Sequence, residues 1–401
     1  MTHQDEWIIY TRDRDLKRYS EVDEYTKFEA SILFNDVGRW TLELHRDSPN
    51  IVPLTTPGFG IIVVNRTTKE TLFSGYIDER EQNFNEDAET LIVSGWDDTV
   101  LLSWRVSHPV PLDTSAPYDS QEFDQRSGVA STVIRTYVDV NLGPTAIGSR
   151  RWPKFVLGAD PVAGSNIQGK LRWTNLLEDI RSLALQGGGL GFRVIQVGEL
   201  LEFQVYQPQD KTDEVKFSTP LSSIIGGKIR SKSPEATYVY MGGEGEGTSR
   251  KIKEGKHGGF YDTWGRREVF EDNSGTNDDT ELEQKINEVL ETKGEQAEFE
   301  LEITDTEGLH FGVDYNLGDR VTAIFVGGES RDDLTPPGTP LVGPMSEGGA
   351  VTELIREVKI TINEDDLTVR PIMGSPGKAH IFRLFREIRR IKQRLINLES
   401  K

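Results

Sequence analysis

Alternation of apolar and polar side chains near the start of this sequence limits its possible folds more than any other feature. Every second residue is apolar in 28–34 and 40–44, and NDVG (35–38) between them has the composition of a hairpin turn. Because successive side chains point to opposite faces of a strand, this period predicts antiparallel strands with one buried face. Three more strand-like segments follow: FGIIVVN (59–65), TLFSGYID (71–78) and ETLIVSGW (89–96). We therefore expect an antiparallel β-barrel or β-sandwich over 1–106, ending in a short helix at 97–106.

The middle of the chain has helical rather than strand periodicity. Residues 108–127 are rich in Pro, Ser and Asp and are typical of a linker. One helix is predicted at 128–139 by the helical period of Val129, Val133, Ile134 and Tyr137. A second helix is predicted by the stripe of Leu176, Leu177, Ile180 and Leu183; Thr174 would cap it and a triple glycine would end it. Two strand-like segments follow within 191–207. We therefore expect a mixed α/β insertion domain over 107–215.

Strand-like segments return in the second half of the chain. Polar, glycine-containing stretches at 253–262 and 271–279 predict loops, and TELE (280–283) has the spacing of a capping box at a helix start. Residues 331–350 hold four of the 18 prolines and predict a long loop that protrudes towards a partner. We expect a second β-rich region over 216–373.

The charge balance and the absence of cysteine limit the partners and the compartment. The 401 residues have a formal net charge of −20, so most of the surface repels phosphates and general DNA binding is not expected. Without cysteine, neither a disulfide nor a thiolate metal site can form, which fits assembly in a reducing cytoplasm. No apolar run approaches the roughly 18 residues of a membrane-spanning helix, and the N-terminus lacks a signal-peptide pattern.

Motifs of known catalytic sites do not occur in the sequence. No two of the six histidines are close enough in sequence to form a local metal pair. The signatures of a serine-hydrolase elbow, a zinc-protease helix and a phosphate-binding loop are missing. The acidic stretch 272–279 lacks the ligand spacing of an EF-hand. We therefore expect no catalytic residue, no metal site and no cofactor, and we expect that the chain is not an enzyme.

Residues 380–400 combine a seven-residue apolar repeat with positive charge in an acidic chain. They hold six Arg and Lys against two Glu. In a coiled coil, isoleucine at both the a and the d positions of the heptad favours three or more helices over two. We therefore expect a trimeric coiled-coil helix over 374–401. Packing of this helix on its own domain is the alternative. The expected trimer seam consists of Ile381, Leu384, Ile388, Ile391, Leu395 and Leu398. The expected cationic collar, which would contact a partner, consists of Arg383, Arg386, Arg389, Arg390, Lys392 and Arg394.

Four short segments resemble a known protein family. FSGYID (73–78) and VSGWDDTVLLSWRVSHP (93–109) resemble the end of the first barrel in baseplate hub, or tail-tip hub, proteins of long-tailed phages. TNLLEDIRSLALQGGGLGFRV (174–194) resembles the helix and strand of their insertion domain. YNLGDRVTAIF (315–325) resembles a turn into a strand of their later β-domain. More narrowly, the chain is similar to the hub proteins of actinobacterial phages that are usually called minor tail proteins.

The resemblance implies a structural role in a siphophage-like virion. In that family two barrels per chain sit side by side, which implies a first barrel over 1–106 and a second barrel with an associated β-domain over 216–373 here. Three chains form a ring that adapts the sixfold tail tube to a threefold central fibre or spike. The implied partners are two further copies, the distal tail protein ring, the tape-measure protein and the fibre; DNA passes through without specific binding, and no membrane anchor is involved. The expected fold class is mainly β with an α+β insertion, tube-like β-barrel domains and a C-terminal coiled-coil helix.

Two other functions remain open from the residues alone. The chain could be a carbohydrate- or receptor-binding module of a tail tip or cell surface, because its seven tryptophans could stack on sugars. Most of them occupy strand or helix faces that indicate burial, and Trp264, in a glycine-rich stretch, is expected to be the most exposed. A cell-wall hydrolase is less favoured, because the chain shows no fused enzyme domain after the hub region.

Overall fold

A computed structural model describes the chain at residues 7–84, 89–118, 120–218, 224–294, 296–303, 309–325, 349–363 and 367–374. The described residues form a mainly β structure, which confirms that part of the expected fold class. They divide into two compact units: unit 1 takes those up to 227 and from 300 to 373, and unit 2 takes those from 228 to 299. The expected coiled-coil helix, and the expected loop up to residue 348, lie outside the described residues.

The strands are numbered here in chain order. They are β1 (Trp7–Arg12), β2 (Arg18–Val22), β3 (Lys27–Leu33), β4 (Arg39–His45), β5 (Gly60–Asn65), β6 (Thr71–Phe84), β7 (Glu89–Asp97), β8 (Asp124–Val129), β9 (Phe155–Leu157), β10 (Asn166–Leu171), β11 (Gly191–Val197), β12 (Leu200–Tyr206), β13 (Lys216–Ser218), β14 (Ile224–Lys232), β15 (Tyr238–Gly242), β16 (Ile252–Lys256), β17 (Glu268–Asp272), β18 (Gln296–Ile303), β19 (Arg320–Phe325), β20 (Gly349–Asn363) and β21 (Leu367–Gly374).

Helices are short and lie between the strands. They are α1 (Ile51–Thr55), α2 (Val100–Ser103), α3 (Ala130–Leu142), α4 (Leu176–Gln186), α5 (Gly258–Trp264) and α6 (Asp279–Thr292), and a 3-10 turn spans Gly247–Ser249.

Thirteen strands form one sheet that curls into a half-barrel. Its order is β14-β18-β21-β20-β3-β4-β7-β6-β5-β1-β2, and β19 pairs with both β20 and β13. The alternation seen in the sequence is realised in β4, where Trp40, Leu42 and Leu44 are buried and the residues between them are not. The predicted strands at 28–34 and 40–44 are therefore confirmed.

Strands β3 and β20, far apart in the sequence, are neighbours in this sheet. They pair antiparallel, with Ala30 opposite Ile360 and Ile32 opposite Val358. All four side chains are buried, so apolar cross-strand pairs stabilise the junction. The strands expected for the first barrel and those expected for the second thus belong to the same sheet.

The insertion expected after residue 107 contains α3, α4 and two small sheets. Strand β8 pairs with β10, and β11, β12 and β9 form the other sheet. The apolar faces of both helices are buried in one cluster with these strands and with α2. The predicted helix positions Val133, Ile134 and Tyr137 are confirmed as core residues.

The predicted cap of α4 is one residue away from the observed cap. Asn175 is the N-cap, because its side-chain oxygen accepts the backbone N–H of Leu177 at 3.1 Å. The hydroxyl of Thr174 instead bonds the carboxylate of Asp179. Asparagine and threonine are both good cap residues, so composition alone does not choose between neighbours.

Two predictions around α2 are wrong. The helix expected over 97–106 covers only a single turn, because the chain after it is drawn into a bridge between Val106 and Asn175. The linker expected over 108–127 ends early, because β8 begins at Asp124 and pairs with β10 along its whole length. The sequence of β8, DQRSGV, is polar and does not predict a strand; the strand forms through its pairing with β10.

Unit 2 is a three-stranded sheet with a helix packed on one face. Strand β15 lies between β16 and β17, and α6 buries Leu282, Ile286 and Leu290 against Val239 and Met241 of β15.

Two predictions in unit 2 are wrong. The loop expected at 253–262 contains β16 and α5, since pairing with β15 organises a segment of low hydrophobicity. The cap of α6 is Asp278 rather than Thr280: the Asp278 carboxylate accepts the N–H groups of Thr280 and Glu281 at 2.8 and 3.0 Å.

Candidate functional site

The two Ser-Gly pairs of the sequence motifs meet around the indole of Trp40. Gly75 in β6 and Gly95 in β7 lie against this ring, which is almost completely buried. A Cβ atom at Gly95 would lie 1.9 Å from the carbonyl oxygen of Tyr76 and 2.9 Å from the Trp40 ring. A Cβ atom at Gly75 would lie 2.1 Å from the carbonyl oxygen of Trp96. Packing of Trp40 against the strand backbones therefore requires glycine at both positions.

A buried polar network joins β1 to the strand β11 of the insertion. The guanidinium of Arg12 donates to both carboxylate oxygens of Asp98, at 2.7 Å for the Nη1–Oδ2 contact, and to Oε1 of Gln196 at 2.9 Å. The hydroxyl of Ser74 donates to Asp98 at 2.6 Å and accepts the backbone N–H of Gln196 at 2.9 Å. Burial lowers the pKa of Arg12, but the charge and hydrogen bonds of Asp98 outweigh this and leave the pKa raised. These contacts hold the insertion in register with the large sheet.

The predicted hairpin turn at 35–38 is a second attachment point for the insertion. Asn35, with φ of 55°, donates its side-chain amide to the carbonyl of Leu190 at 2.8 Å and accepts the N–H of Phe192 at 2.8 Å. Arg181 of α4 donates to the carbonyl of Asn35 at 2.6 Å and forms an ion pair with Asp36. Burial raises the pKa of Asp36 against the opposing charge of Arg181. The turn is confirmed, and tertiary contacts give it a second role.

Three aromatic rings from separate segments of unit 1 form a contiguous cluster beside this framework. The ring centroids of Tyr76 and Trp104 are 5.9 Å apart, those of Trp104 and Trp152 are 6.0 Å apart, and those of Tyr76 and Trp152 are 6.2 Å apart. Trp104 is 48% exposed, while Tyr76 and Trp152 are half-buried. The cluster therefore exposes the large apolar side chain of Trp104 to solvent, with the half-buried rings of Tyr76 and Trp152 packed against it.

Two arginines that have no carboxylate partner among the described residues border this cluster. The Arg105 guanidinium lies 5.4 Å from the Trp152 ring centroid and donates to the carbonyl of Arg150 at 3.3 Å. Arg150 donates to the carbonyl of Val106 at 2.6 Å. Among the described residues, neither arginine forms an ion pair. Burial lowers the pKa of both, and the charge of Arg105 lowers that of Arg150 further. We name Trp104, Arg105, Val106, Arg150 and Trp152 the Trp–Arg surface.

A second aromatic group lies close to the Trp–Arg surface. The His108 ring is 4.6 Å from that of Tyr118 and 4.5 Å from that of Trp173, which is 48% exposed. Burial, and then the charge of Arg150, lower the pKa of His108. The lowered pKa favours the neutral imidazole, while the charge of Asp113 acts in the opposite direction.

The tryptophans are less buried than the sequence indicates. Trp7 and Trp40 are buried, but Trp104 and Trp173 are each 48% exposed. Trp264, expected to be the most exposed, is only partly exposed and has Arg267 against its ring. That prediction is wrong, because α5 forms where a loop is expected. Trp104 lies just past the end of α2, where the helical period no longer applies, so periodicity assigns it to the core by mistake.

Other site predictions find no test in the described residues. The seam and collar residues between 381 and 398 lie outside them. Within the described part of the chain, no group of three or more His, Asp or Glu side chains has the arrangement of a metal site. In the same part, no helix is both long enough and apolar enough to cross a membrane.

Comparison with known proteins gives the family. A profile of the family described as siphovirus ReqiPepy6 Gp37-like protein matches residues 6–375. The chain belongs to this family. A search of curated proteins finds no significant match. The prediction that the chain is not an enzyme is confirmed by this family.

Solved structures similar to this siphovirus family member are tail proteins. One from Neisseria meningitidis MC58 is 12% identical, with a TM-score of 0.56 over 92% of this chain and 97% of that chain. The 43 kDa tail protein of prophage MuSo2 from Shewanella oneidensis is 11% identical, with a TM-score of 0.55 over 92% and 97%. Prophage tail protein gp18 from Listeria monocytogenes EGD-e is 10% identical, with a TM-score of 0.54 over 96% and 99%. At such identities the likeness establishes the fold.

Proposed function

We propose that this chain is a structural component of a phage tail, and specifically the hub protein of the tail tip or baseplate. The observation that carries the proposal is the tail-protein fold, which extends over more than nine-tenths of this chain and of each of three solved tail proteins. The family match over residues 6–375 places the same stretch in a siphovirus family. The protein would be assembled in the host cytoplasm and carried in the virion.

Three copies would form a ring between the sixfold tail tube and a threefold central fibre. The junction of β3 with β20 supports this arrangement, because it joins the two expected barrel regions of a chain side by side in one sheet. Three such chains would offer six similar segments to the tube. The terminal helices, through Ile381, Leu384, Ile388, Ile391, Leu395 and Leu398, would meet on the tail axis.

Passage of DNA through the ring follows from its charge. A chain of net charge −20 repels phosphate, so an acidic channel wall would let the genome pass without trapping it. The distal tail protein ring and the tape-measure protein would contact the ring from above. The central fibre would contact it below, where its acidic groups could neutralise the collar of Arg383, Arg386, Arg389, Arg390, Lys392 and Arg394.

Cryo-electron microscopy of tail particles that contain this chain tests the proposal. We expect three copies around the tail axis at the tip, with an acidic surface towards the lumen. Two or six copies per particle, or a basic lumen along the ring, would contradict the hub role. Absence of the chain from purified particles would contradict a structural role in the tail altogether.

A further inference from the structure

The Trp–Arg surface has a composition that the stability of unit 1 does not account for. The attachment of the insertion already uses Arg12 and Arg181, and each of these has an acidic partner. Arg105 and Arg150 have none among the described residues, although the chain has 66 acidic residues against 46 basic ones. Two adjacent arginines without a carboxylate among the described residues, in so acidic a chain, are a feature that a docked partner would explain.

The guanidinium groups of this surface point the same way. Arg105 and Arg150 are both half-buried, so the exposed N–H groups of each can be reached from outside. Arginine binds carboxylates through paired, charge-assisted hydrogen bonds. A carboxylate from a partner would therefore supply the counter-charge that no described residue supplies.

The neighbouring side chains indicate a protein rather than a sugar. Tryptophan, tyrosine and arginine are the residues most enriched at the energetic centres of protein interfaces. A sugar needs acceptors as well as donors for its hydroxyl groups, but tryptophan and arginine side chains only donate. The one aromatic acceptor here is the hydroxyl of half-buried Tyr76.

We propose that the Trp–Arg surface docks a second copy of this chain, whose carboxylates pair with Arg105 and Arg150 while an apolar side chain covers Trp104. Charge complementarity selects this occupant, since a copy with net charge −20 offers the acidic surface that the arginines lack. The inference rests on the proposed assembly of several copies into a ring and names the face that one copy offers to the next.

Photocrosslinking of the full-length chain tests the contact directly. Val106, at the centre of the surface and 47% exposed, is replaced by a photocrosslinking amino acid in an equimolar mixture of isotopically light and heavy chains. Mass spectrometry should find light–heavy cross-links from position 106 to an Asp- or Glu-containing peptide. The same amino acid at Val52, which is 68% exposed on α1, is the control and should give few cross-links to a second chain.

Charge reversal separates this contact from general association. Arg105→Glu combined with Arg150→Glu should lower the light–heavy cross-link yield at least about tenfold, and Trp104→Ala should lower it by a similar factor. Arg66→Glu, at an exposed arginine 3.9 Å from Glu21, should leave the yield unchanged. Circular dichroism and sedimentation of each variant confirm folding and report the number of copies.

The outcomes distinguish the docking face from the ring itself. A trimer by sedimentation whose position 106 gives no cross-link between chains would overturn the docking inference and leave the ring standing. A wild-type chain that stays monomeric and gives no such cross-link would count against both. Cross-links to another tail protein in purified particles, or specific retention on an acidic polysaccharide column lost in Trp104→Ala, would replace the second copy by that partner.

Discussion

Arg12 and Asp98, 86 residues apart in the sequence, form a completely buried ion pair. Arg12 comes from the first strand and Asp98 from the turn into α2, and Gln196 of the insertion completes the network. A buried charge is tolerated only when its partner is in place. The pair therefore forces three distant segments to assemble together or not at all.

Removal of one partner of this pair should be strongly destabilising. We expect Arg12→Met to lower the free energy of unfolding by about 3–5 kcal/mol, because Asp98 would remain buried without its counter-charge. Chemical denaturation measured by tryptophan fluorescence gives the value. Arg66→Met, at an exposed ion pair, is the control and should cost less than about 1 kcal/mol. Equal effects of the two changes would show that the buried pair has no special role.

Glycine at position 95 should be essential for the packing of Trp40. Gly95→Ala places a methyl group 1.9 Å from a carbonyl oxygen, and we expect a loss of about 3 kcal/mol or more in stability. Gly148→Ala is the control: no atom lies within 4 Å of the added Cβ, so the change should stay within about 1 kcal/mol. Thermal unfolding of the two variants decides the matter, and a Gly95→Ala chain as stable as the control would refute the close packing.

Alkaline pH should destabilise the folded chain through Tyr206. Burial raises the pKa of Tyr206 to about 12; the charge of Arg193 opposes this shift and the charge of Asp319 adds to it. Tyrosine in an unfolded chain has a pKa of about 10. From about pH 10 to about pH 12 the unfolded chain loses this proton before the folded chain does, so the free energy of unfolding falls as the pH rises.

The variant Tyr206→Phe isolates that effect. At pH 8 it should be less stable than the wild type by about 1 kcal/mol, because the hydroxyl donates to the carbonyl of Leu317 at 3.3 Å. The gap should shrink and then reverse between pH 10 and 12, since phenylalanine has no proton to lose. Urea unfolding at pH 8, 10 and 11.5 measures the gap, and a constant difference would mean that Tyr206 titrates alike in both states.

Asp278 should control the start of α6. Asp278→Ala removes the acceptor of two N–H groups, so the first turn of α6 should exchange its amide hydrogens faster. Hydrogen bonds from the N–H groups of Glu281 and Thr280 lower the pKa of Asp278, and desolvation opposes them. The cap should therefore also weaken as the pH falls through that lowered pKa. Thr280→Ala is the control: this change would be equally damaging only if a capping box began at Thr280. Faster exchange in Thr280→Ala but not in Asp278→Ala would reverse the assignment.

Ile388→Asp tests the terminal seam. In a parallel trimer it would bury three carboxylates in one layer, at a cost of several kcal/mol per assembly. Particles should then lack a complete tip, or the purified chain should sediment as smaller species. Gln393→Asp, which the heptad register places on the outer face of the proposed helix, would introduce the same charge without burial and should assemble normally. Normal tips and infectivity with Ile388→Asp would show that the helix packs elsewhere.

The sequence by itself determined the elements whose period is strong. Alternation in 28–34 and 40–44 gave the strands β3 and β4 and the turn between them, and the stripe Leu176, Leu177, Ile180 and Leu183 gave α4. These signals are local: each segment buries one face, and the spacing of its apolar residues shows which face. The same locality explains why a phage tail protein could be inferred from short motifs.

Tertiary structure alone decided which segments meet. The pairing of β3 with β20, the bond of Arg12 to Asp98 and the meeting of Arg105 with Arg150 join residues that no local pattern relates. Strand β8 and Trp104 were misjudged for the same reason, since a polar strand and an exposed tryptophan depend on what lies beside them. The energies of strand pairing, of ion pairs and of side-chain exposure depend on distances in space. A single sequence specifies only distances along the chain.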